Sequence, residues 1–240
     1  MMKHIPNFIT SLNLAAGFIA IIFVVNGDIV TASWFVVAAM IFDFLDGLSA
    51  RLLNAYSSMG KELDSLADLV SFGVVPGLII YQLLNISLSL SSPYNISSDG
   101  FKVLLLWITP VIIPVCAALR LAKFNIDTSQ ATTFKGLPTP ANALAVITIV
   151  FAGHYSPSTV FSFFTGSAAI LIVFSLLLSL LMISRIPLLS LKVRDLKIKG
   201  NEGRYILAGS VLLSFAILGI SAAPLIIPLY ILVSLISRIF

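Results

Sequence analysis

Charge is what this chain has least of. Only 10% of its 240 residues are Asp, Glu, Lys or Arg, against about 25% in an ordinary soluble domain. With 59% hydrophobic residues it cannot cover a water-facing surface, which excludes a soluble globular fold. Its single cysteine, Cys116, excludes an internal disulfide and reads as a small packing residue in mid-helix. Two histidines, His4 and His154, are too few and too far apart for a histidine-rich metal centre. No internal repeat of the kind that builds transporters from duplicated halves is evident. The net charge of +4 does not signal nucleic acid, because the basic residues fall in short connections between apolar runs.

Long hydrophobic runs are what the chain has instead. Runs near 20 residues, each enough to cross about 30 Å of hydrocarbon as a helix, predict an all-α integral membrane protein. The expected architecture is one bundle of eight transmembrane helices in a single domain, 1–240, with approximate spans 7–26, 29–50, 62–86, 101–123, 138–154, 158–183, 204–221 and 223–239. The run that begins Ile5-Pro6-Asn7 has no small-residue cleavage site and reads as a retained helix. With both termini in the cytoplasm, Lys3, Arg51, Lys61, Arg120, Lys123, Lys135, Arg185, Lys192, Arg194, Lys197, Lys199, Arg204 and Arg238 lie on or near the cytoplasmic side. Of the 14 lysines and arginines only Lys102 then falls outside, a positive-inside bias that loss of any one helix would scramble. The polar connections are expected around Ser91–Gly100 and from Arg185 to Arg204. The second includes the basic, aliphatic-interleaved segment Leu191–Lys199, either a solvated loop or a strip against anionic headgroups.

Against this apolar background, four of only ten acidic residues crowd into one stretch: Asp43-x-x-Asp46-Gly47-x-x-Ala50-Arg51, eight residues, then Gly60-x-x-x-Asp64-x-x-x-Asp68. Unpaired carboxylates in hydrocarbon cost several kcal/mol each, so the group calls for a counter-charge. Spacings of three and four put Asp43 with Asp46 on one face of the second helix, and Asp64 with Asp68 on one face of the third. A short connection makes those helices antiparallel neighbours, and at about 1.5 Å per residue both pairs sit roughly 4–12 Å from the cytoplasmic ends. Oxygen-only ligands favour hard divalent ions, Mg²⁺ or Mn²⁺. Gly47 and Gly60 remove side chains where a ligand would approach, Ala50 keeps the same face thin, and Arg51 offers a bidentate fork suited to phosphate. Two ions held by carboxylates are a recurrent device for phosphoryl displacement.

The pattern D-x2-D-G-x2-A-R-x8-G-x3-D-x3-D is identified as the signature of the CDP-alcohol phosphatidyltransferase family, matched here without departure. The resemblance implies a membrane-embedded transferase that takes a CDP-linked lipid such as CDP-diacylglycerol, displaces CMP by attack of an alcohol, and uses two divalent ions. By position, Asp43, Asp46, Asp64 and Asp68 resemble the metal-binding aspartates, Asp68 the general base, and Gly47, Arg51 and Gly60 the border of the cytidine diphosphate. A homodimer in the cytoplasmic membrane, with its active site toward the cytoplasm, is also implied. A base has its own logic, since an aliphatic hydroxyl must lose its proton during attack.

The acceptor is not in that signature. Three further segments resemble the serine-using branch of the family: Ile5-Pro6-Asn7-x-x-Thr10-x-x-Asn13-Leu14-x-x-Gly17, Ala118–Asn125, and Phe134–Ala141 with its Gly136-Leu137-Pro138-Thr139-Pro140 core. Serine presents a carboxylate, an ammonium and a hydroxyl. Arg120 or Lys123 would hold the carboxylate and Asn125 would supply polar contacts, although both basic residues also suit positive-inside anchors. Asn7 and Asn13 either contact the nucleotide or cap and pack helices. Pro138 and Pro140 pre-set a helix start, and Pro110 with Pro114 would kink the fourth helix. Acceptors such as glycerol 3-phosphate or inositol phosphate would demand a larger basic cluster, and an archaeal ether-lipid donor is a further alternative. A cation transporter would want its carboxylates near mid-bilayer and would leave Gly47, Arg51 and Gly60 without a role.

Overall fold

The computed structural model describes residues 4–88, 96–126, 136–156, 163–164, 166–189 and 201–237, and every element among them is helical. In chain order these are α1 (Ile5–Val25), α2 (Ile29–Leu52), α3 (Ser58–Asp68), a π-helical turn (Leu69–Val74), α4 (Val75–Leu88), α5 (Ile96–Ile126), α6 (Thr139–Tyr155), α7 (Ala168–Ile183), α8 (Glu202–Leu218), a 3-10 turn (Gly219–Leu225) and α9 (Ile226–Ile236). Five stretches are long and apolar enough to cross a membrane: Ile5–Val25, Ile29–Leu52, Ser58–Leu88, Gly100–Ile126 and Glu202–Ile236. α6 and α7, of 17 and 16 residues, fall just short of that length. The expected span 158–183 is helical from 168; residues 158–162, the basic segment Leu191–Lys199 and residues 91–95 of the outer loop lie outside the described residues.

Local chemistry sets the boundaries. Pro6 occupies the first turn of α1, where its missing N–H costs nothing. Asp28 caps α2 by accepting from the Thr31 amide at 2.9 Å, and its bonds with Thr31 hold its carboxyl below the usual carboxylate range. α2 ends in a turn that places Asn54 at φ 47°, a left-handed position that asparagine tolerates, and Ser57 then caps α3 through the Gly60 amide at 3.0 Å. In the last hairpin a Cβ on Gly203, near the start of α8, would lie 3.0 Å from that of Ser237, beyond the end of α9, so the two segments fold back on one another.

The third span carries the irregularity that matters. α3 and α4 are joined through the π turn that begins directly after Asp68. Such a turn rotates the downstream residues about the helix axis, so the carboxylate face of α3 gives way to a stretch in which Phe72, Ile79, Ile80, Leu83 and Leu84 are fully buried. Neighbours hold it in place: Asn142 Nδ2 donates to the turn's Phe72 carbonyl at 3.3 Å, and Ser71 Oγ on the turn donates to the Asn13 carbonyl of α1 at 3.1 Å. α1 reaches it because Gly17 has no side chain; a Cβ there would sit 2.3 Å from Ser71 Oγ. α5 runs through Pro110 and Pro114 as one helix. Pro114 leaves the Pro110 carbonyl without its helical donor, and Gly77 packs on that oxygen so closely that a Cβ would lie 2.8 Å from it.

The packing order differs from the expected one in a single respect. α1 packs along α2 and against α3, whereas α2 and α3, expected as direct neighbours, make little contact with each other. Two helices with paired carboxylates on their facing sides are held apart by repulsion and by the space a ligand needs, and α1 fills the wedge behind them.

Gly136, at φ 78°, ties the start of α6 to the end of α7, donating to the Ile186 carbonyl at 2.8 Å, while Leu137 donates to the Leu181 carbonyl at 2.9 Å. A Cβ at Gly136 would lie 2.6 Å from the Met182 carbonyl oxygen. Gly136→Ala is therefore expected to destabilise by about 1–3 kcal/mol, read as a lowered thermal midpoint in detergent. Gly209→Ala, where nothing lies within 4 Å of the added Cβ, should leave the midpoint unchanged or raise it.

Candidate active site

Asp43 and Asp46 lie on the last turns of α2, Asp64 and Asp68 on the last turns of α3, and all four line one cavity of about 600 Å³. That volume is in the range of small-molecule sites. Asp46 and Asp68 are 6% and 8% exposed, so both carboxylates are drawn out of water. Oxygens of Asp43, Asp64 and Asp68 all lie within 4.8 Å of one another. Two oxygens on one hard cation, each roughly 2.0–2.5 Å from it, are separated by no more than about 5 Å, so these three fit a single divalent ion between them. Asp64 Oδ1 is buried without a hydrogen-bond partner, an orphaned acceptor that a cation would satisfy.

Asp46 stands slightly apart. Its Oδ2 accepts the Thr10 hydroxyl at 2.6 Å, which leaves it outside the three-carboxylate group though inside the cavity. Behind Asp68, Asn13 is fully buried and donates through Nδ2 to Asp68 Oδ1 at 3.2 Å. Thr10 and Asn13, three residues apart on one face of α1, thus hold one carboxylate from each pair. Thr10 escaped selection as a site residue from sequence, though its three-residue spacing from Asn13 would have marked it.

The glycines do different work. A Cβ on Gly47 would meet nothing within 4 Å, so it would project into open space that the cavity leaves for a ligand. On Gly60 it would lie 2.8 Å from Asn7 Oδ1 and 2.9 Å from Ser57 Oγ, so Gly60 is demanded by protein packing as well as by lining the cavity. Ala50 and Arg51 line the same wall, and Arg51 Nε donates to the Gly47 carbonyl at 2.9 Å. Asn7, Arg120 and Asn125 also line it. Asn125 is engaged with protein, donating from Nδ2 to Ser65 Oγ at 2.9 Å while its carbonyl accepts from Lys61 Nζ at 2.9 Å. Two predicted contact residues are not on the wall: Asn13, which stands behind Asp68, and Lys123, which is exposed near the end of α5. Lys61, Tyr56 and Thr139 also line it without having been named as site residues; Thr139 lay in the flagged Phe134–Ala141 segment, whereas nothing local marks Lys61 or Tyr56 as ligand contacts.

The profile of the CDP-alcohol phosphatidyltransferase family matches residues 3–182. The chain belongs to this family. The match takes in every wall residue of the cavity, from Pro6 to Pro140. Among curated relatives, a CDP-diacylglycerol–serine O-phosphatidyltransferase of Bacillus subtilis is 37% identical over 156 residues, 65% of this chain and 79% of the relative. One from Helicobacter pylori is 34% identical over 240 residues, 98% of this chain and 91% of its own. An archaetidylserine synthase of Methanothermobacter thermautotrophicus is 30% identical over 154 residues, 63% of this chain and 60% of its own.

In this phosphatidyltransferase, Asp64→Asn is expected to weaken Mn²⁺ binding, measured by electron paramagnetic resonance in detergent, by tenfold or more. Asn13→Ala, which removes only the support of Asp68, should weaken it by about tenfold, as loss of a hydrogen bond behind a metal ligand typically does.

Proposed function

We propose that the protein transfers the phosphatidyl group of CDP-diacylglycerol to the hydroxyl of L-serine, giving phosphatidylserine and CMP. The observation that carries the reading is the convergence of Asp43, Asp64 and Asp68 in a cavity whose wall also holds Arg120. The names of the relatives direct it to serine. The serine oxygen attacks the phosphorus that bears the diacylglycerol, the bond from that phosphorus to the CMP oxygen breaks, and the hydroxyl proton passes to Asp68. Divalent ions, when bound, neutralise charge on the phosphate oxygens during this displacement.

The chain's own residues do the rest. Asp43 and Asp64 hold the cation site with Asp68, and Asp46, steadied by Thr10, supplies the fourth carboxylate of a site for two ions, Mg²⁺ or Mn²⁺. Gly47 leaves room for the nucleotide, while Ala50, Arg51, Gly60 and Asn7 border it and Arg51 offers its guanidinium to phosphate. Arg120 holds the serine carboxylate; Lys123 and Asn125 stand at the same helix end. Asn13 fixes the side-chain orientation of Asp68. The positive-inside distribution of the lysines and arginines supports eight crossings in one domain with both termini cytoplasmic. Arg51 and Lys61 on the cavity wall support a site facing the cytoplasm in the cell membrane. A homodimer follows from the family resemblance.

Purified protein in detergent with CDP-diacylglycerol and Mg²⁺ or Mn²⁺ should release CMP when L-serine is added. Release with glycerol 3-phosphate or inositol phosphate and none with serine would contradict the assignment. Asp68→Asn should retain CDP-lipid binding and lose at least about a hundredfold in kcat, the scale of general-base catalysis.

A further inference from the structure

We infer that the first turn of α6, with the Thr139 hydroxyl and the Arg120 guanidinium, forms the seat for the carboxylate of the acceptor; this deepens the serine reading and rests on it. Two donor groups on the cavity wall are left without partners. Thr139 is 1% exposed and its Oγ1 makes no hydrogen bond, and Arg120 Nε is likewise buried and unpaired. A buried hydroxyl and a buried guanidinium N–H are both costly when unsatisfied, and such groups are rare in folded proteins. Both line the cavity that holds Asp68, and Arg120 lies within electrostatic reach of Asp68. A single anion placed between them would satisfy both.

The helix start strengthens the same seat. Pro138 occupies the N-cap of α6 and supplies no side-chain cap, so the first-turn amides are not covered from within the cap, and the positive end of a 17-residue helix faces the cavity wall formed by Pro138, Thr139 and Pro140. The seat is also rigid. The clasp of Leu137 on the Leu181 carbonyl of α7 and of Gly136 on the Ile186 carbonyl just beyond it fixes where α6 begins, and Pro138 and Pro140 restrict the backbone on either side of Thr139. One guanidinium, one hydroxyl and a helix start match the single charge and two oxygens of a carboxylate. A phosphate dianion would call for more cationic charge, and the Lys61 ammonium on the same wall is already engaged by the Asn125 carbonyl. With the carboxylate held here, the hydroxyl of the same small molecule is left for Asp68.

Thr139→Val removes the hydroxyl and keeps the shape. In steady-state CMP release with L-serine and with L-serinamide, which has a neutral amide for the carboxylate, the variant is expected to raise KM for serine about tenfold. The preference for serine over serinamide in kcat/KM should narrow by a similar factor, because a site built to donate to an anion loses discrimination when one donor goes. KM for CDP-diacylglycerol should stay within about twofold, and Thr139→Ser should restore the serine KM. The thermal midpoint of Thr139→Val should be unchanged or raised, since the deleted hydroxyl has no partner within the protein. An unchanged serine KM, an unchanged serine-to-serinamide preference, or equal loss of CDP-lipid affinity would overturn the inference. Wild-type protein that releases no CMP with serine would instead overturn the reading on which it rests, and the inference with it.

Discussion

Mutual repulsion among carboxylates in a hydrocarbon setting is the constraint to which the rest of the fold answers. Asp43, Asp64 and Asp68 bring oxygens within 4.8 Å of one another in a chain where only 10% of residues are charged. Like charges that close repel strongly where the effective dielectric is low, and water is too scarce to disperse them. Such a cluster is tolerable around a cation. The helices that carry it therefore stand apart instead of packing, and the gap between them is the cavity.

Keeping the gap open while aiming the carboxylates requires a third element. α1 supplies it, lying against α2 and α3 and sending Thr10 to Asp46 and Asn13 to Asp68. Its close approach depends on Gly17, whose missing side chain admits Ser71. The π turn after Asp68 lets one continuous span serve two purposes, presenting acids to the cavity on its first half and apolar side chains to the core on its second. Asn142 takes up the Phe72 carbonyl and Ser71 reaches the Asn13 carbonyl, so the turn is held from α6 and α1 together. Asp46 and Asp68 are thus aimed by polar contacts from α1, Thr10 from the cavity wall and Asn13 from behind it.

Much of this was legible in the residues. The all-helical membrane class follows from composition, and the pairing of Asp43 with Asp46 and Asp64 with Asp68 follows from helical spacing alone. Most of the wall, including Gly47, Arg51, Gly60 and Arg120, was marked by the same stretch or by the end of the fourth span. What was not legible is nonlocal. That α1 wedges between α2 and α3 depends on packing between residues far apart in the chain, Thr10 with Asp46 and Asn13 with Asp68, which no local pattern encodes. Asn13 read equally well as a ligand contact and as a packing group, and the structure puts it behind Asp68. The π turn has no residue signature, since Leu69–Val74 would sit as readily in an unbroken helix. Thr139 looked like part of a proline-bounded helix start, and its unpartnered hydroxyl emerges only when α6 is placed against the cavity.

The central claim is that the carboxylates exist to hold cation at the end of α2 and α3. Anomalous diffraction from crystals of the protein grown with Mn²⁺ tests it most directly. The account predicts a manganese peak between Asp43, Asp64 and Asp68, absent in Asp64→Asn crystals; manganese found only at exposed carboxylates, with that site empty at saturating Mn²⁺, would contradict it.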